Sequence, residues 1–187
     1  LGIQYCPIKR FGLSEANDLR AVEVELKAGS SSFKVDGSVF ETPLVGELNA
    51  RNALAVVAGA RHCGLSDKQI QSAFATFQGI RCRMEVRGVA GGVTVVDDFG
   101  HHPTAIRETL KALRVKFPGR RVWTVFEPRS NTTRRNVFQN ELVEALSLSD
   151  LVVVSEVARW ELLPPQERLD PAKLMSDLES AGRPSAY

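Results

Sequence analysis

Hydrophobic and polar positions alternate along this chain with two different periods. Between residues 19 and 45 the period is two: Val22, Val24 and Leu26 alternate with charged neighbours, Phe33 and Val35 alternate again, and Val39-Phe40 begins a further run. Gly29-Ser30 and Asp36-Gly37 punctuate these runs, the second as a strong hairpin signal, so a small antiparallel meander is expected. The period then lengthens to that of a helix. Ala50, Ala53, Leu54, Val57 and Ala60 share one face ahead of Gly64 as a stop. Ser66-Asp67-Lys68-Gln69 has the form of a capping box, opening a second helix with Ile70, Ala73, Phe74 and Phe77 on one side before Gly79.

The texture changes after Gly79, and a domain boundary is placed there. Ile80, Cys82, Met84 and Val86 alternate with Arg81, Arg83, Glu85 and Arg87, which predicts a strand with three arginines and one glutamate on a single face. Strand and helix patterns then take turns. A buried-type strand at 93–96 is followed by a helix from Pro103 with Ile106, Leu110, Leu113 and Phe117 inward, and by a strand at 122–126. A helix around 135–146 with Phe138, Leu142 and Leu146 inward precedes a strand at Leu151–Val154, and Pro171 opens a last helix with Leu174 and Leu178. This alternation implies parallel pairing through right-handed crossovers, hence an α/β fold with a doubly wound, mostly parallel sheet.

Composition narrows the function classes. Hydrophobic residues are 43% and charged residues 25% of 187, the profile of an ordinary globular chain with enough material for a core. The longest apolar run, 53–60, is far short of the ~18 residues that span a bilayer, so no membrane segment is expected. A net charge of +2 with both signs interspersed leaves no stripe for nucleic acid and no polybasic membrane patch. Three cysteines, Cys6, Cys63 and Cys82, fit packing roles in a reducing, cytoplasmic compartment better than a disulfide framework. The start at Leu1 without methionine or signal pattern, and the stop at Tyr187, lead to the expectation of a fragment.

Chemistry is expected where the strands end, because open parallel sheets bind ligands outside the carboxyl ends of their strands. The strand at 93–96 runs into Asp97-Asp98-Phe99-Gly100-His101-His102-Pro103, that at 122–126 into Glu127-Pro128-Arg129-Ser130-Asn131-Thr132, and the third into Ser155-Glu156. Carboxylates, imidazoles, an arginine and small polar groups on one rim suit a charged, hydrogen-bonding ligand. Plainer roles exist for each. Asp97 or Asp98 can end a strand, and His102 before Pro103 can be a helix cap. Arg81 and Arg83 can be a solvated face or a grip on phosphate, and Arg134-Arg135 reads as a surface pair. Two histidines beside two aspartates suggest a metal set, yet sequence neighbours rarely face one point and only His62 remains to join them, so no metal ligands are assigned. Neither a Gly-x-x-x-x-Gly-Lys-Ser/Thr loop nor a Gly-x-Gly-x-x-Gly fingerprint occurs.

At Asp97-Asp98-Phe99-Gly100-His101-His102-Pro103-Thr104 the chain resembles the Mur ligases, ATP-dependent amide-forming enzymes of peptidoglycan synthesis. Gly46-Glu47-Leu48-Asn49-Ala50-Arg51-Asn52-Ala53 is similar to the family's Gly-x-His-Asn-x-x-Asn-Ala segment, with Leu48 in place of the histidine. Gly79-Ile80-Arg81-Cys82-Arg83-Met84-Glu85 is similar to its Gly-x-x-x-Arg-x-Glu segment. Glu127-Pro128-Arg129-Ser130-Asn131-Thr132 is most similar to the murein peptide ligase branch, which joins L-alanyl-γ-D-glutamyl-meso-diaminopimelate to UDP-N-acetylmuramate.

The resemblance implies that 1–79 is the end of the central ATP-binding domain and 80–187 a Rossmann-like C-terminal domain, incomplete at its end. It implies ATP and Mg²⁺ as cofactors, with their main ligands and the phosphate loop in regions of the same polypeptide preceding this chain. By the same resemblance Asn49, Asn52, Arg83 and Asp97 or Asp98 approach the nucleotide. His101, His102 and Arg129 line the reacting cleft, and Arg129, Ser130, Asn131 and Thr132 meet the substrates. The implied chemistry is phosphorylation of the muramyl lactyl carboxylate, then attack by the peptide amine. A ligase for free L-alanine, a non-catalytic nucleotide- or peptide-binding module, and a metal-dependent hydrolase built on Asp97, Asp98, His101 and His102 are the alternative expectations.

Overall fold

A computed structural model describes residues 8–187, so Cys6 lies outside the described residues. The chain forms two compact units, Leu1–Gly79 and Ile80–Tyr187. In the first, β1 (Phe11–Gly12) and β2 (Leu19–Arg20) make a short parallel pair. Strands β3 (Val22–Leu26), β4 (Ser31–Val35) and β5 (Ser38–Thr42) then form the antiparallel meander that the alternation predicts. Asp36 and Gly37 turn β4 into β5 with φ of 48° and 85°, the left-handed pair that a tight hairpin with native twist requires.

Helices α1 (Glu47–His62) and α2 (Asp67–Thr76) cover this sheet. Helix α1 stops in a Schellman motif: Gly64 at φ 83° lets its N–H reach the Arg61 carbonyl while the Leu65 N–H reaches that of Ala60, both at 3.0 Å. Side chains of Phe33, Val35, Phe40, Leu54, Val57, Ile70 and Phe74 form the core between the layers. Each large apolar group removed from water there contributes roughly 1.5–3 kcal/mol. Ala73 faces solvent and Phe77 sits past the last turn of α2, so the buried stripe of that helix is narrower than its spacing suggests. Arg61 ties the layers, pairing with Asp67 at 2.8 Å and Asp36 at 2.7 Å while lying over the Phe40 ring.

The second unit departs from the expected pattern in two places. Residues 80–84 form a turn, not a strand, because Cys82 and Met84 take φ of 55° and 49°, incompatible with extended backbone. The segment at 93–96 is not a buried parallel strand. Strands β6 (Glu85–Ala90) and β7 (Val93–Asp97) form an antiparallel hairpin turned by Gly91-Gly92 at φ 55° and 78°, and Val93 and Val95 are exposed. The parallel sheet instead runs in the order β10 (Ser185–Ala186), β9 (Leu151–Val154), β8 (Trp123–Phe126).

Helices α3 (Pro103–Lys116), α4 (Gln139–Leu146) and α5 (Pro171–Ser180) pack against one face of that sheet. Ile106, Leu110, Leu142, Leu146, Leu174 and Leu178 meet Phe126, Val152 and Val154 there. On the other face Trp123 is 61% and Val125 75% exposed. Strand alternation sends Trp123 and Val125 to the side opposite Phe126.

The starts of β8 and β9 are stapled by one ion pair. Arg114 at the end of α3 reaches Asp150 at 2.8 Å and the Leu148 carbonyl at 2.8 Å, and the Val122 N–H donates to Asp150 at 2.7 Å. Arg114 foremost, then the Val122 N–H, holds the Asp150 carboxyl down from its ordinary 3.8 to about 2. A depressed carboxyl stabilises the fold fully above its unfolded value, and this contribution disappears as pH falls through the folded one. Acid titration of unfolding should therefore show stability lost between pH 4 and pH 2, with a shallower slope in Asp150→Asn. Identical slopes for the two proteins would remove Asp150 from that role.

Candidate functional site

The loop after β7 is held by Asp98. Its carboxylate accepts from the Met84 N–H at 2.9 Å, the Gly100 N–H at 2.7 Å and the Thr109 hydroxyl at 3.2 Å, joining the 80–84 turn to the loop and to α3. Gly100 is required beneath it, since a Cβ there would stand 2.7 Å from Asp98 Oδ1. With both oxygens engaged, Asp98 serves the loop, and Asp97 is the carboxylate of the pair that turns elsewhere. It meets Cys82 and Glu85, all three ligand atoms lying within 4.8 Å of one another. The neighbouring Asp97 carboxylate is the main cause that pushes the Cys82 thiol above its ordinary pKa, while the Cys82 N–H foremost draws Glu85 down. Sequence reading missed this grouping, because the turn at 80–84 that folds Cys82 back carries no glycine or proline signal.

Arg83 and Phe99 form the exposed part of this corner. The guanidinium lies over the Phe99 ring at 5.2 Å, and the same ring meets His101 edge-on at 5.2 Å. The two histidines are set to opposite tautomers. His101 Nδ1 lies 3.1 Å from the Phe99 carbonyl, which can only accept, so this nitrogen carries a proton and, in the neutral ring, Nε2 holds the lone pair. His102 Nδ1 accepts from the Thr104 N–H at 3.2 Å, capping α3, so in the neutral ring Nε2 is the donor. The His102 ring also packs on Phe138 at 4.8 Å, fixing its direction against the start of α4.

The loop after β8 closes on itself. The hydroxyls of Ser130 and Thr133 lie 2.8 Å apart, each also accepts the other residue's N–H, and the Arg134 N–H returns to the Ser130 carbonyl at 3.1 Å. Ser130 is therefore spent on the turn. Pro128 is buried, whereas Arg129 and Asn131 are exposed and Thr132 is half-buried. Arg129 makes no hydrogen bond or ion pair among the described residues. Arg134 is half-buried and engaged: it reaches the Arg159 carbonyl at 3.2 Å and Asn131 Oδ1, joining this loop to the one after β9. Arg135 pairs with Glu167.

Asn49 and Asn52 belong to the first unit, where both lie in the first turns of α1. Asn49 donates to the Val45 carbonyl at 2.9 Å, and Asn52 and Leu48 are exposed. Helix α1 begins at Gly46 with φ 105°, whose N–H is caught at 3.2 Å by the buried Ser31 hydroxyl. A cavity of about 460 Å³ opens between the starts of β7 and β8, lined by Val93, Val96, Phe117, Val122 and Trp123. It is apart from the loops at the strand ends.

This donor set fits the outer part of a nucleotide: Arg83 suits an anionic phosphate, and Asp97 can accept from a hydroxyl. Magnesium does not fit the Cys82, Glu85 and Asp97 group, because a hard cation takes oxygen ligands and one of these three is a thiol.

Residues 82–186 match the family described as Mur ligase, glutamate ligase domain. A UDP-N-acetylmuramate–L-alanine ligase of Variovorax paradoxus (strain S110) is 34% identical over 95% of this chain and 39% of its own length. A UDP-N-acetylmuramate–L-alanyl-γ-D-glutamyl-meso-2,6-diaminoheptandioate ligase of Escherichia coli (strain K12) is 41% identical over 73% of this chain and 31% of its own length. The crystal structure of a UDP-N-acetylmuramate-alanine ligase from Thermotoga maritima superposes with a TM-score of 0.77 at 21% identity, over 95% of this chain and 38% of that one, a likeness of fold. The chain thus spans about two fifths or less of the length of these relatives.

Proposed function

Because this chain belongs to the Mur ligase family, we propose that residues 1–79 end the central ATP-binding domain, and residues 80–187 form part of the C-terminal domain, of an ATP-dependent amide ligase. The complete enzyme joins an amine acceptor to UDP-N-acetylmuramate in the cytoplasm, in peptidoglycan synthesis or recycling. The loop Glu127-Pro128-Arg129-Ser130-Asn131-Thr132 carries the finer assignment, the tripeptide L-alanyl-γ-D-glutamyl-meso-diaminopimelate as acceptor, and the 41% identity to a ligase named for it supports that choice. The second reading takes free L-alanine, favoured by the relative that aligns with 95% of the chain.

ATP, when bound, supplies the phosphoryl group that activates the carboxylate. This chain's own part is to position. Within the second unit Arg83, over the Phe99 ring, and Asp97 are the residues for the nucleotide; within the first unit, taken by itself, Asn49 and Asn52 are assigned to nucleotide contact. Arg129 holds anionic oxygen at the reacting cleft. His101 Nε2 is the lone pair available to take the proton released as the amine attacks, and His102 Nε2–H is a donor facing the opposite need.

Two measurements test the reading. In an acceptor assay on the complete ligase, ligation of the tripeptide in preference to L-alanine is expected; the reverse preference replaces the first assignment by the second. The 187 residues alone lack a phosphate-cradling loop, so they should release no phosphate from ATP with UDP-N-acetylmuramate present. Substrate-dependent release by the isolated chain would overturn the domain assignment.

A further inference from the structure

We propose that Arg134 is a positioning residue that turns the Asn131 carboxamide so that only its Nδ2 donors face outward, making this loop a reader of a carboxylate on the amine acceptor. The inference rests on the ligase reading, and it holds for either acceptor, since both carry carboxylates. A guanidinium has donors only, so the atom of Asn131 that meets Arg134 Nη2 must be the oxygen. The amide nitrogen then points away from Arg134, and among the described residues no hydrogen bond engages it. Arg134 is itself fixed. Its Nη1 donates to the Arg159 carbonyl at 3.2 Å and to that of Ala158 at 3.4 Å. Its Nε is buried with no partner, so the Nη contacts alone dictate where the guanidinium lies. The carbonyl it grips belongs to Arg159, held at φ 53° ahead of the 3₁₀ turn Trp160–Leu162.

The rest of the loop agrees. Ser130 and Thr133 hydroxyls satisfy one another, which leaves Arg129 and Asn131 as the exposed polar side chains from 129 to 133, beside half-buried Thr132, with the Glu127 carboxylate exposed on the far side of buried Pro128. The Arg129 guanidinium and Asn131 Nδ2 are both donors, and two donors this close in the chain suit an acceptor-only group, a carboxylate.

The test is steady-state kinetics of the complete ligase with ATP, UDP-N-acetylmuramate and the amine acceptor varied in turn. Asn131→Ala should raise KM for the acceptor about 10- to 100-fold and leave the other two KM values unchanged. Asn131→Asp should raise it further, because the new anion faces the substrate carboxylate, while its pair with Arg134 keeps the thermal midpoint at or above that of the parent. Arg134→Ala should raise the same single KM, Arg134→Lys should restore part of it, and Asn131→Ala/Arg134→Ala should be no worse than the worse single variant. Additive losses, a rise in all three KM values with Arg134→Ala, or an unchanged acceptor KM with Asn131→Asp would each overturn the proposal. If the unaltered enzyme ligates no amine to UDP-N-acetylmuramate, the ligase reading falls and takes this inference with it; if it ligates normally while the variants behave as the parent, only the inference falls.

Discussion

Asp98→Ala lowers the stability of the Ile80–Tyr187 unit by about 2–4 kcal/mol, because the N–H groups of Met84 and Gly100 and the Thr109 hydroxyl lose their shared acceptor at once. For a unit of this size that moves the thermal midpoint down by roughly 8 °C or more. Asp98→Asn recovers only part, since an amide offers one oxygen where three donors converge and turns its NH₂ toward another donor. Differential scanning calorimetry of the three proteins measures this directly. A midpoint unchanged in Asp98→Ala would mean that the carboxylate is not what holds the 80–84 turn to α3, and would return Asp98 to the nucleotide-binding role that the family resemblance implies.

The other large effect concerns Arg129. In the complete ligase Arg129→Ala should reduce kcat/KM by the equivalent of about 2–5 kcal/mol, the cost of leaving a desolvated anion unpaired. Its backbone is braced on both sides, by buried Pro128 and by the Ser130–Thr133 turn, while its guanidinium makes no hydrogen bond or ion pair among the described residues. The braced backbone is ordered before an anion arrives, so the ordering cost falls on the side chain alone. Arg129→Lys should recover less than full activity if the fork binds bidentately. An unchanged kcat/KM in Arg129→Ala would place the residue outside the cleft.

Much of the framework was legible in the residue pattern because it is local. Asp36-Gly37, the capping residues before α2, Gly64 and Pro171 act within a turn of where they stand, and the meander, α1, α2, α4 and α5 follow from them. What escaped depends on contacts distant in sequence or on unusual backbone. Gly91-Gly92 was a readable hairpin signal, yet the apolar run beside it mimics a buried parallel strand. Left-handed Cys82 and Met84 have no compositional mark, and without them the Cys82, Glu85 and Asp97 grouping is invisible. Asp97, Asp98, His101, His102 and residues 129–132 stand out as residue types at strand ends, whereas Asn49, Asn52 and Arg83 enter through the family resemblance. Their division of labour was not legible, since it is decided by which atoms are already occupied: Asp98 by backbone N–H groups, Ser130 by Thr133, Asn131 Oδ1 by Arg134.

The uncovered face of the parallel sheet has an optical consequence. The chain carries two tryptophans, and they sit in opposite surroundings. Trp123 lies in the open on β8 beneath the Arg121 guanidinium, at 5.8 Å, whereas the Trp160 indole Nε1 is buried with Arg168 over its ring at 5.6 Å. Emission from Trp123 should therefore be red-shifted and readily quenched by iodide, and that from Trp160 bluer and protected. A single fluorescence spectrum then reads two events separately, shielding of the sheet through one indole and loosening of the loop that anchors Arg134 through the other.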